Sequence, residues 1–166
     1  MNRMLLILGA VAFGAAIPFG IHSALGHHAT RMERVTLRPT DPQNACGPVC
    51  VATVAAICGR PVPLADINAQ MILAPSGACS LRDVKNALES FGIEVGGQRF
   101  TDRASSDACD KLMIVHMAFN HFATVLPIDD TRSVLIDPPR APEVVTRRAL
   151  ATRWDGNALV IHGTSH

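Results

Sequence analysis

Asp41-Pro42-Gln43-Asn44-Ala45-Cys46-Gly47-Pro48-Val49-Cys50 runs directly into Val51-Ala52-Thr53-Val54-Ala55-Ala56-Ile57-Cys58-Gly59, and the reading of this stretch decides the fold. A polar approach containing proline, then a run of small apolar residues closed by Gly59 and Pro61, predicts a loop entering a buried helix that ends near Cys58. Cys46 then stands at the helix N-terminus, where unpaired backbone N–H groups and the positive end of the helix dipole favour a thiolate over a thiol. Gly47 permits close approach of backbone, and Pro48 is tolerated in a first turn because its missing N–H has no helical partner. From this segment alone a nucleophile and a buried structural cysteine are equally open.

Working outward, composition sets the frame. The 166 residues are 48% hydrophobic and 17% charged, enough for one packed domain beside a terminal segment. A net charge of +1, no long basic run and a single Trp give no electrostatic case for a nucleic-acid partner. Five cysteines is an odd number, so at least one thiol is unpaired or pairs outside the chain; their spacing does not make the two CxxC pairs of a zinc ribbon. Neither a metal nor another cofactor is expected.

Upstream, Met4 to Ile21 carries no charged side chain. Eighteen such residues make a helix of ~27 Å, close to the ~30 Å hydrocarbon core of a bilayer. Residues 1–26 are therefore expected to be a membrane anchor or signal segment, with an uncleaved anchor favoured, 27–39 a linker, and 40–166 the folded domain. The expected location is the bacterial cell envelope, at the membrane.

Downstream, Ala65-Asp66 opens a short amphipathic helix running to about Leu73, and Pro75-Ser76-Gly77 breaks it. Ser80 is a natural N-cap for Leu81 to Phe91, whose apolar positions fall on one face, with Gly92 as the C-cap. Strand patterns follow at Ile93–Val95, Leu112–Met117, His121–Ile128, Ser133–Asp137, Glu143–Val145 and Ala158–Ile161, with Gly96-Gly97 read as a loop and a short helix near Arg147–Arg153. Helices first and strands last make the class α+β, helices packed on a C-terminal antiparallel sheet.

A hairpin turn centred on Asp129-Asp130 places residues whose numbers sum to about 258 opposite each other, so His121 faces Asp137. A carboxylate that close to an imidazole orients it. With Cys46 the chain then holds a thiol nucleophile, a base and an orienting acid, in the order Cys, His, Asp. His116 lies five residues upstream of His121, and no acidic residue stands at a matching distance, so a core or surface role is expected for it.

Several stretches together resemble the bacteriocin-processing, double-glycine cysteine peptidase family: Cys46-Gly47-Pro48; Gly77 to Leu81 leading a helix into Phe91-Gly92-Ile93; His116 to Leu126; Val134 to Pro138; and Trp154 to Leu159. The resemblance covers roughly residues 40 to 162. It implies the papain-like fold, with Cys46 attacking a peptide carbonyl, His121 as its base and Asp137 orienting His121. It also implies cleavage of a leader or other short extended peptide ending in Gly-Gly. The glutamine usual in the family six residues before the cysteine is Thr40 here; Gln43 is the candidate to supply the oxyanion amide instead. The best-known members are fused to an ATP-driven exporter, but this sequence has no Gly-x-x-x-x-Gly-Lys-Ser/Thr phosphate loop, so an export partner would be a separate chain. A catalytically weak peptide- or protein-binding module and a thiol-dependent acyl transferase are the competing readings.

Overall fold

The computed structural model describes residues 46–71, 73, 78–105 and 110–164, all within the unit Leu37–His166. The 1–26 segment and Gln43 lie outside the described residues. Among those described, no helix is long and apolar enough to cross a membrane.

Three helices come first: α1 (Cys46–Ile57), α2 (Leu64–Gln70) and α3 (Leu81–Ser90). Strands β1 (Ile93–Arg99), β2 (Met113–Met117), β3 (His121–Pro127), β4 (Arg132–Ile136) and β5 (Glu143–Thr146) follow, then the short α4 (Arg147–Ala151) and β6 (Trp154–Thr164). The strands form one six-stranded antiparallel sheet in the order β1-β6-β2-β3-β4-β5. The α+β class is as expected.

Both faces of the sheet are buried, and alternation along the strands assigns residues to each. Ile114, Phe122 and Leu159 face a core shared with Val51, Val54, Ile67, Val84 and Leu88 of the three helices. Met113, Val115, Ala123, Val125 and Ala158 face a second core with Leu135, Val145, Leu150 and Trp154. Helix α1 lies against β3 and α3 against β1, so the start of α1 and the start of β3 are brought together.

Helix α3 begins in a capping box: Ser80 Oγ accepts from the Asp83 N–H, and Asp83 accepts from the Ser80 N–H at 2.7 Å. Three local expectations are corrected. Helix α2 starts at Leu64 and stops at Gln70, short of Leu73. Gly96-Gly97 is strand, because β1 pairs along an 11-residue β6 (Gly96↔Val160, Gly97↔Leu159) that was expected only over residues 158–161. Partner strands override the turn signal of a glycine pair, and a Cβ at Gly96 would sit 2.7 Å from the His162 ring. The β3–β4 register also differs: Thr124 pairs with Ile136, a sum of 260, since the turn closes through Asp129 and Arg132. A shift of two residues preserves the facing side, so His121 and Asp137 meet diagonally.

Candidate active site

Cys46 is the first residue of α1 and is 8% exposed. Burial opposes its ionisation, but hydrogen bonds to the sulfur from the His121 ring and from backbone N–H groups of Phe122 and Gly47 outweigh it, and the thiol is held below its ordinary range. Gly47 lets α1 approach Cys79 closely. A Cβ on it would lie 2.2 Å from Cys79 Sγ, so that side chain would have to shift to admit any other residue.

His121 is the first residue of β3, and its Nε2 hydrogen-bonds Asp137 Oδ1. That contact leaves the other ring nitrogen for Cys46. The bond to Cys46 is the largest influence on the ring; burial works against it and Asp137 adds to it, raising the imidazole to about 9. Opposite shifts on the two partners describe a thiolate–imidazolium pair. Asp137 follows β4 and is nearly buried; its second oxygen, Oδ2, accepts from Arg140 Nη1 at 2.9 Å. Arg140 was not singled out in the sequence, where nothing about an exposed arginine three residues on marks it as a partner of the acid.

The other described cysteines are of a different kind. Burial pushes the Cys50 thiol up to about 12 and that of Cys79 up to about 11, and it raises Cys58 as well. Among the described residues, Cys46 alone is shifted toward the thiolate.

His116 has an acidic partner, contrary to expectation. Its Nδ1 lies 2.6 Å from Asp155 Oδ2, and its Nε2 lies 3.2 Å from Asn120 Oδ1. Asp155 is 39 residues away and reaches His116 because β2 pairs with β6, Met117 opposite Trp154; linear spacing gives no hint of it. This second His–Asp pair has no activated sulfur. The cysteine that shares its groove is Cys79, whose thiol stays protonated. No group of three or more His, Cys, Asp or Glu side chains among the described residues is arranged to hold a metal.

Two depressions lie near the site. One, of about 1000 Å³, runs past Cys79, Phe122 and His116 on the side of the helices. The other, of about 550 Å³, is bordered by His121, Asp137 and the turn before β3.

The sequence profile of the Peptidase C39 family matches residues 35–166. Two curated Escherichia coli relatives, the colicin V secretion/processing ATP-binding protein CvaB and the probable microcin-H47 secretion/processing ATP-binding protein MchF, are each 26% identical over 122 residues. Each alignment takes in 70% of this chain and 16% of the relative, so the chain spans about a sixth of their length. Among solved structures, a double glycine motif protease from an AMS/PCAT transporter, in complex with its leader peptide, superposes with a TM-score of 0.59 at 23% identity, covering 72% of this chain and 84% of that one. The peptidase domain of Streptococcus ComA, a bi-functional ABC transporter, gives 0.61 at 18% identity, covering 73% and 93%. At these identities the two structures establish the shared papain-like fold.

Proposed function

The chain belongs to the peptidase C39 family, which makes it a cysteine peptidase, and from that premise we propose that Cys46, His121 and Asp137 cleave a leader or other short extended peptide after a Gly-Gly pair. The observation that carries this reading is the hydrogen-bonded run Cys46–His121–Asp137, with the sulfur shifted toward thiolate and the ring toward imidazolium.

In the proposed sequence the Cys46 thiolate attacks the scissile carbonyl carbon, forming a C–S bond while the carbonyl π pair moves onto oxygen. As that oxyanion collapses, the C–N bond breaks and the His121 imidazolium gives its proton to the departing nitrogen. A thioester on Cys46 and a free amine result. His121, now neutral, takes a proton from water; the hydroxyl oxygen attacks the thioester, and the thiolate leaves as the acid product forms. Asp137 keeps the ring aimed and stabilises its charge, and Arg140 holds the acid's other oxygen.

Helix α1 begins at Cys46, so the backbone N–H of Cys46, at the positive end of the helix, is the proposed first donor to the oxyanion. Gln43 is proposed as the second donor, its amide contributing on the order of 3 kcal/mol to the transition state. The apolar run Met4–Ile21 is proposed to anchor the domain at the membrane of the cell envelope, where a peptide exporter takes the cleaved product.

The test is cleavage of a Gly-Gly leader peptide by the full chain and by Cys46→Ala, followed by mass spectrometry. Scission after the second glycine by the wild type, absent in the variant, is expected. Binding without scission by both would instead identify a peptide-holding module.

A further inference from the structure

The smaller depression beside His121 has features that catalysis by the Cys46–His121–Asp137 run does not require. The turn between β2 and β3 carries two consecutive residues in the left-handed region, Phe119 at φ 62° and Asn120 at φ 60°. Asparagine is at ease there, but a bulky aromatic residue is not. Phe119 is also 100% exposed. The tight β2–β3 hairpin uses left-handed backbone at its turn, but a phenylalanine at that position adds strain and puts its ring in water, and strained positions of this kind cluster at ligand-binding sites. Phe119 borders the depression of about 550 Å³, together with Met117, Pro138 and Pro139, and His121 and Asp137 border the same space.

Reaction geometry says which part of a substrate goes there. His121 Nε2 is engaged by Asp137, so the nitrogen facing the sulfur must deliver the proton to the departing amine. The residue that begins the departing segment therefore lies on the imidazole side of the sulfur, and the acyl part lies toward the larger groove past Cys79 and Phe122. We infer that the depression formed by Phe119, Met117, Pro138 and Pro139 is a specificity subsite that takes a large apolar side chain on the first residue of the departing peptide. Arg140 and Arg153 stand on the same rim, each already paired with an acid, Asp137 and Glu143 respectively. The inference rests on the peptidase reading above.

The experiment uses the full chain and Gly-Gly peptides that differ only in the residue after the scissile bond: Leu, Phe, Gly or Lys. For the wild type, kcat/KM should favour Leu and Phe over Gly and Lys by about tenfold. Phe119→Gly suits the left-handed backbone, so its thermal midpoint should not fall, yet its Leu-to-Gly ratio should drop to about twofold or less, whereas Phe119→Leu should keep most of the preference. Equal rates for all four peptides, or an unchanged ratio in a folded Phe119→Gly, would overturn the subsite while leaving the peptidase intact. No scission of any peptide by wild type, or equal scission by Cys46→Ala, would instead bring down the peptidase reading and the subsite with it.

Discussion

At the scale of single residues, the chemistry rests on two opposed shifts. The thiolate of Cys46 exists above a pKa held below the ordinary thiol range, and the imidazolium of His121 exists below about 9. The working form lies between these limits. A plot of kcat/KM against pH is thus expected to rise as Cys46 loses its proton and to fall as the pH passes about 9 and His121 loses its own. In His121→Gln the alkaline fall should disappear along with most of the rate, measured on the same peptide. The raised His121 pKa also contributes stability, fully present below about 6.5 and lost as pH rises through about 9. Gly47 gives a steric prediction: Gly47→Ala forces a methyl against Cys79 Sγ and should cost ~1–3 kcal/mol of unfolding free energy. Cys79→Ala should recover part of that loss in a double-mutant cycle by urea denaturation. Cys46 and Gly47 were legible in the sequence because a helix start shows in local residue types. The Arg140–Asp137 and His116–Asp155 contacts were not, since a surface arginine and a distant aspartate carry no local signature.

At the scale of elements, helices were read better than strand ends. The capping box of α3 is written in Ser80 and Asp83, and the structure has it. Ser80→Ala should therefore cost about 1 kcal/mol, read as a lower thermal midpoint. The strands β1 and β6 ran longer than expected because strand length is decided by the partner. Gly96 and Gly97 look like a loop until a long neighbour supplies their hydrogen bonds. The hairpin register was displaced by two residues, which the turn's own bonds at Asp129 and Arg132 explain. It did no harm to the reading of the site because an even displacement keeps each side chain on its face.

At the scale of the whole molecule, the proposed site is a product of assembly. The sulfur comes from the head of α1, the imidazole from the head of β3 and the acid from beyond β4, elements that the two cores on either side of the sheet hold in place. Composition and the order of helices before strands already indicated this α+β arrangement, and several short stretches in sequence order indicated the family. Activation of Cys46 should accordingly exist only in the folded chain. The measurement that addresses this most directly is the rate of iodoacetamide labelling of each cysteine at pH 7, by peptide mass spectrometry, on native wild type, native His121→Ala and urea-unfolded wild type. Cys46 should be labelled at least about tenfold faster than the other cysteines in the native wild type, lose most of that lead in His121→Ala, and lose all of it in urea. A native Cys46 that reacts no faster than its unfolded counterpart, or that is indifferent to His121, would contradict the account.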